Sequence, residues 1–379
     1  MFGIYIHIPF CRTACHYCDF HFSTNTQTME AMEAALVKEL ELRIAEEKPD
    51  FRQLQSIYFG GGTPSLFHLS GLEAFLTRML PHAPHCTEIT LEANPEDVTS
   101  ERLEAWLKMG INRLSIGLQS FDQNRLDWMN RQHSAEDAAA AVHLAAEAGF
   151  IHISADLIYG LPNRTESFED ELRQFVALPV DHLSAYILTV EDRTVLGRRV
   201  ERGAQNVPDD EAVEAEFQQL CRAMTDAGFE HYEVSNWAKP GGHAVHNQHY
   251  WSGLPYWGIG PGAHGFDGTR RYANVANNPK YIRALDGASS AADLPCEGEA
   301  LTPTDRYNES LMTGLRTARG IDLTDLDNRF GLRPDVAEPE AWKQFLDRGI
   351  LKEIGGDVYR IAEPHWVMAD AIVAELFVA

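Results

Sequence analysis

Over the first 235 residues the spacing of apolar positions switches repeatedly between two periods. In "GIYIHIPF", Ile4, Ile6 and Ile8 alternate with Tyr5 and His7, the period of a strand. From Thr28 to Glu47, Met32, Leu36, Leu40 and Ile44 recur every fourth residue, the stripe of an amphipathic helix. "SIYFGGG", "EITLEANPE", "RLSIGLQSF", "HISADLIYGLP" and "HLSAYILTV" predict five further strands. Helical segments separate them: Ser134 to Ala148 is closed by Gly149, and Ser167 to Leu178 stops before Pro179.

Six βα units in succession predict an α/β protein with a parallel sheet and right-handed crossovers. An open doubly wound sheet and a partial barrel both satisfy that rhythm. The strand ends favour the barrel. Strand one runs into a loop bearing cysteines, strand two ends in Gly60-Gly61-Gly62-Thr63, and strand three in Glu92 and Asn94. Strand four ends in Gln119, and strand five in Asp156 with Tyr159-Gly160. Polar groups gathered at carboxyl ends suit a barrel with its site on that rim. The predicted core is a partial (β/α)6 TIM-like barrel spanning residues 1–235.

The texture changes at residue 236. Between Asn236 and Gly268 stand eight Gly, three Pro and a run of aromatics including Trp237, Tyr250, Trp251 and Trp257. That is too apolar for a solvated linker and reads as an irregular packed segment. Residues 284–299 read as a linker, so 236–299 is expected to hold no regular core of its own. From 300 to 379 the pattern predicts a small helical, winged-helix-like domain. Its helices are Pro303 to Ala318 and Pro339 to Arg348, followed by a hairpin around Gly355-Gly356 and a closing helix from Pro364 to Phe377.

Composition narrows the function. The 379 residues are 44% hydrophobic with a formal net charge of -24, which disfavours nucleic acid and electrostatic docking on an anionic membrane. The first residues carry no basic leader, and no apolar run reaches membrane-spanning length, which predicts a cytoplasmic protein. Of six cysteines, Cys86, Cys221 and Cys296 are scattered and read as small buried hydrophobes.

The other three fall within "CRTACHYCDF" as Cys11, Cys15 and Cys18. A [4Fe–4S] cluster held by protein alone takes four thiolates. Three leave one iron for an outside chelator, and the amine and carboxylate of S-adenosylmethionine suit that vacancy. A zinc site with His16 or His21 as fourth ligand is the competing reading. "GGGTPS" follows a strand and precedes a helix; bare glycines admit a close ligand, and no P-loop lysine follows.

"YIHIPFCRTACHYCDF", "YFGGGTPS", "LEANPE", "RLSIGLQSFD" and "DLIYGLP" together resemble the radical SAM family, and within it the oxygen-independent coproporphyrinogen III oxidase-like branch. The resemblance implies that Cys11, Cys15 and Cys18 hold a [4Fe–4S] cluster. It also implies that Tyr5, Gly61, Gly62, Thr63, Glu92, Gln119, Arg131 and Asp156 line a pocket for S-adenosylmethionine. The oxidase pattern has a further cysteine where this chain has Phe20, and an extension before the first strand. Both departures resemble the HemW-type heme chaperones instead. So does "HNQHYW" at His246 to Trp251, similar to the H-N-x-x-Y-W signature of that group.

From that resemblance His246 is expected to be the axial heme ligand, with His249 and His264 as alternatives. The implied function is a chaperone that binds heme and passes it to an apo-hemoprotein acceptor, without coproporphyrinogen III dehydrogenase activity. An electron donor such as flavodoxin or ferredoxin and transient membrane association accompany that reading. The alternative is a radical SAM enzyme acting on a tetrapyrrole.

Overall fold

The structure, a computed structural model, describes residues 1–378. The six strands form where the alternation places them: β1 (Phe2–Ile8), β2 (Leu54–Gly61), β3 (Glu88–Ala93), β4 (Arg113–Gln119), β5 (His152–Tyr159) and β6 (His182–Ile187). Each pairs in parallel with the next. Helices cover their outer face: α1 (Met29–Glu47), α2 (Leu69–Met79), α3 (Ser100–Met109), α4 (Gln123–Met129), α5 (Ala135–Ala148) and α6 (Phe168–Val176). Local chemistry sets several ends. Ser134 caps α5 in a reciprocal box with Asp137, and Gly149 closes it in the left-handed region.

The carboxyl ends of β2 through β6 and the loop that follows β1 all line one cavity. Six flat strands would spread their ends over about 24 Å. The sheet therefore curls, and the α/β fold is the partial barrel the strand ends predict.

After β6 come α7 (Val195–Glu201), α8 (Asp210–Asp226), β7 (Glu230–Glu233) and β8 (Asn236–Ala238). Strand β8 runs antiparallel beside β6, with β7 outside it. The expectation of an irregular segment and linker over 236–299 is corrected here. That span folds into β8, α9 (Val245–Trp251), β9 (Tyr256–Ile259), β10 (His264–Phe266), β11 (Arg270–Asn274), α10 (Asn278–Gly287) and β12 (Cys296–Ala300, the last residue just beyond). Strand β9 adds to β1 in parallel, opposite β2. Among the described residues one sheet then reads β12-β11-β10-β9-β1-β2-β3-β4-β5-β6-β8-β7. The glycines that suggested irregularity allow close approach instead: a Cβ on Gly258 would lie 1.9 Å from the His264 carbonyl oxygen.

The C-terminal domain holds α11 (Pro303–Leu315), β13 (Ile321–Asp322), α12 (Leu323–Phe330), α13 (Pro334–Ala337), α14 (Pro339–Asp347) and the hairpin β14 (Leu351–Gly355) with β15 (Val358–Ile361). The three strands form a small sheet in the order β13-β15-β14. The expected closing helix is shorter: a 3-10 turn over Glu363–Met368 leads into α15 (Ala369–Ala374). The domain covers the open edge of the large sheet at β7, where Val234 N–H donates to Arg316 O at 2.9 Å and Ala318 N–H to Tyr232 O at 3.0 Å.

Candidate functional site

The cysteine loop leaves β1 at Ile8 and is pinned by backbone bonds from three directions. Cys11 N–H donates to Ser23 O at 3.1 Å, His16 N–H to Met129 O at 3.1 Å, and Thr63 N–H to Phe10 O at 2.7 Å. The glycine run makes the last contact possible. A Cβ on Gly62 would lie 2.6 Å from Phe10 O, and Gly61 has φ +114°. The amides of Gly61, Gly62 and Thr63 serve Glu92, Ile8 and Phe10, so they bind the protein itself. Burial pushes the Cys11 thiol up to about 11 and the Cys18 thiol up to about 12.

The three thiols are not drawn together around a single ion. Four ligands at about 2.3 Å around one tetrahedral ion put sulfurs within about 3.8 Å of one another. Among the described residues the Cys11, Cys15 and Cys18 donor atoms do not fall within 4.8 Å of one another as a set. Each of the two histidines engages one ring nitrogen elsewhere. His16 Nδ1 meets Trp128 O at 2.6 Å, and His21 Nε2 meets Asn278 Oδ1 at 2.7 Å.

A cavity of about 540 Å³ opens beside these sulfurs. That volume suits one small organic ligand. Gly61, Gly62, Thr63, Glu92, Gln119, Arg131 and Asp156 all line it with the three cysteines. Tyr5 stands just behind the wall, beside the Glu92 carboxylate. Its ring lies deeper in the barrel, stacked on Tyr58 at 6.0 Å, and its hydroxyl is 3.0 Å from His7 Nδ1.

Arg131 is the organising cation. One Nη donates to Asn94 Oδ1 and to Gly117 O, each at 2.8 Å, and the other lies 3.6 Å from Cys15 Sγ. Its Nε has no hydrogen-bond partner. Facing it are two carboxyls held by neutral donors. Glu92 accepts from Tyr58 Oη at 2.8 Å and Gly61 N–H at 3.0 Å; Asp156 accepts from Ser115 Oγ at 3.1 Å. Burial raises Glu92 to about 7, with the Asp156 charge adding to the effect, and burial raises Asp156 to about 6. The strand-end pattern put Asn94 on this rim but gave no sign of Ser115. Both stand on the strand motifs, at positions in phase with Glu92 and Asp156. At the mouth, Phe20 is 72% exposed and Tyr186 48% exposed, giving the rim an apolar portion beside the exposed Arg12, Asp19 and Glu191.

His246 lies at the other end of the barrel. Helix α9 closes the amino ends of the strands, and Glu88 at the start of β3 accepts its Val245 and His246 N–H groups at 2.9 Å each. Arg113 pairs with Glu88 at 2.9 Å and donates to Gly242 O at 2.9 Å. The His246 ring is 1% exposed, with Nδ1 2.9 Å from Ser56 Oγ and Nε2 2.9 Å from Tyr250 Oη. Burial and the nearby His249 push it down to about 3, so it stays neutral. Both His246 nitrogens are thus hydrogen-bonded and buried in this structure. His249 is buried too, with Nε2 3.0 Å from Gln55 Oε1. His264 on β10 is exposed.

A second buried clamp was invisible in the sequence. Glu39 on α1 is fully buried and accepts from Arg43 at 2.8 Å, Gly260 N–H at 2.9 Å, Asn274 Nδ2 at 2.9 Å and Tyr281 Oη at 2.5 Å. It fastens the β9–β11 extension to the first helix of the barrel.

Comparison with known proteins agrees with this geometry. The Radical SAM superfamily pattern matches residues 5–203, and the HemN C-terminal domain pattern matches residues 301–358. The heme chaperone HemW of Mycobacterium tuberculosis is 38% identical over 99% of this chain and 94% of its own length. That of Bacillus subtilis is 33% identical over 95% of each. The fold is shared with the coproporphyrinogen III oxidase HemN of Escherichia coli, at a TM-score of 0.82 and 21% identity over 99% of this chain and 90% of that one. The chain belongs to the radical SAM superfamily and, within it, to the HemW heme-chaperone family. No helix among the described residues is long and apolar enough to cross a membrane.

Proposed function

We propose that this protein binds heme and hands it to an apo-hemoprotein acceptor in the cytoplasm, while carrying a [4Fe–4S] cluster and an exchangeable S-adenosylmethionine. The observation that carries the reading is kinship over nearly the whole chain with proteins named heme chaperone HemW. Cys11, Cys15 and Cys18 would hold the cluster, whose fourth iron takes an outside chelator. When bound, cluster and S-adenosylmethionine supply one-electron chemistry. Arg131 fits a carboxylate, Glu92 and Asp156 fit ammonium or hydroxyl groups, and the rim at Phe20 and Tyr186 fits a flat apolar face. A flavodoxin-like or ferredoxin-like donor would reduce the cluster, and contact with a membrane would be transient.

His264 is the one histidine of the three whose ring is exposed, and it is the heme ligand in this reading. Hemin titration of the anaerobically reconstituted protein tests the function directly. A Soret shift, and transfer of heme to an apo-hemoprotein, are expected. Absence of both ends the proposal.

A tetrapyrrole-directed radical SAM enzyme is the second reading, favoured by the fold shared with HemN. Turnover of coproporphyrinogen III with consumption of S-adenosylmethionine would establish it in place of the chaperone.

A further inference from the structure

Far from the cysteine loop, a different thiol meets an imidazole and a carboxylate. Cys221 stands on α8, His231 on β7, and Glu363 on the turn that follows β15. One donor atom of each lies within 4.8 Å of the other two. His231 Nδ1 is 2.8 Å from Glu363 Oε1. The imidazole is held rigidly, stacked on Trp237 at 3.8 Å and edge-on to Trp366 at 4.3 Å. Its Nε2 makes no hydrogen bond and would carry the ring proton when Nδ1 binds a cation. The thiol is 7% exposed and the His231 side chain 4%, while the Glu363 side chain is 39% exposed and opens the group to solvent.

We propose that Cys221, His231 and Glu363 form a single-ion site for a zinc-class cation, which fastens the C-terminal domain to the barrel. One sulfur, one nitrogen and one carboxylate oxygen are a donor set zinc accepts, with water from the open side as fourth ligand. Mixed soft and borderline donors disfavour magnesium and calcium. The charges balance: a divalent cation, a thiolate, a carboxylate and a neutral imidazole sum to zero, so burial costs little. Binding expels the thiol proton to water, and no electron moves. Two ligands come from the barrel and one from the C-terminal domain, so the ion would join them where β7 meets that domain.

The test uses the cluster-loaded full chain, freed of loose metal, with zinc chloride as probe. Retention of about one zinc per chain beside about four iron is expected. Cys221→Ser and Glu363→Gln should each weaken zinc binding by no less than the about tenfold lost when an outer-shell partner is removed, with iron unchanged. With cobalt as spectroscopic stand-in, wild type should develop a thiolate-to-metal band that Cys221→Ser lacks. No retained zinc in wild type, equal retention in Glu363→Gln, or a band that survives Cys221→Ser would each overturn the site. Because Glu363 is half-exposed, its variant keeps the test decisive should Cys221→Ser fold poorly.

Discussion

The Glu88 carboxylate receives the His246 backbone N–H at 2.9 Å, across 158 positions of sequence. That bond sets α9 into the amino end of the barrel and turns the His246 ring toward Ser56 and Tyr250. The motif that resembles a heme-binding signature serves here as a plug.

The plug predicts a separation of roles. His246→Ala should orphan the Tyr250 hydroxyl, at a cost of about 1–3 kcal/mol, while Ser56 Oγ keeps His249 Nδ1 at 3.4 Å. Hemin binding should persist. His264→Ala should instead weaken the hemin Soret shift while leaving stability near wild type. Denaturant midpoints and hemin titrations of both variants check this, and the reverse pattern would return ligation to His246.

Glu88 and Arg113 are a buried pair, with side chains 6% and 3% exposed. Removing one partner leaves an uncompensated interior charge, at a cost of about 3–5 kcal/mol. Arg113→Met alone should therefore lower the urea midpoint strongly. Arg113→Met with Glu88→Leu should recover part of the loss, which a double-mutant cycle measures.

Gly62→Ala places a Cβ 2.6 Å from the Phe10 carbonyl oxygen, with backbone on both sides and no flexible side chain to yield. The loop bearing Cys11 must move. Iron content after anaerobic reconstitution should fall, while far-ultraviolet circular dichroism stays close to wild type. Full iron loading of the variant would show that the loop tolerates the displacement.

Glu92 and Asp156 give the site a pH signature. Their folded values, about 7 and about 6, lie above the ordinary 4.5 and 3.8. The native state thus keeps protons that the unfolded chain releases. Their contribution to stability is fully present below about pH 4 and is lost as pH rises through about 7. Binding of cationic S-adenosylmethionine should run the other way and tighten from pH 6 to pH 8 as both groups ionise. Equilibrium binding across that range checks the sign, and Glu92→Gln should flatten the profile.

The barrel was legible because its evidence is local. Alternation in "GIYIHIPF", the Ser134 cap and the glycine after Ala148 each report on neighbours a few residues away. The cavity wall was legible for the same reason, since a strand end delivers whatever residue stands there to the rim. For Tyr5, its position in β1 fixes only the face it points from. How deep that face lies depends on β2 and on His7. The glycine-rich stretch after residue 236 misled because glycine marks irregular backbone and tight strand contacts equally, and Gly258 against His264 is the second kind.

The chain by itself determined the order of strands and helices in the barrel, the three thiols on one loop, and the polar groups at the carboxyl ends. These follow from covalent spacing and from periods of two and of about four residues. Only the tertiary structure decided that β9 joins β1, that Glu39 and Glu88 are buried acceptors, that His246 faces inward, and that Cys221 meets Glu363. Each of these is a contact between residues far apart in sequence, formed when burial forces polar groups to find partners, and no local pattern encodes which partner that will be.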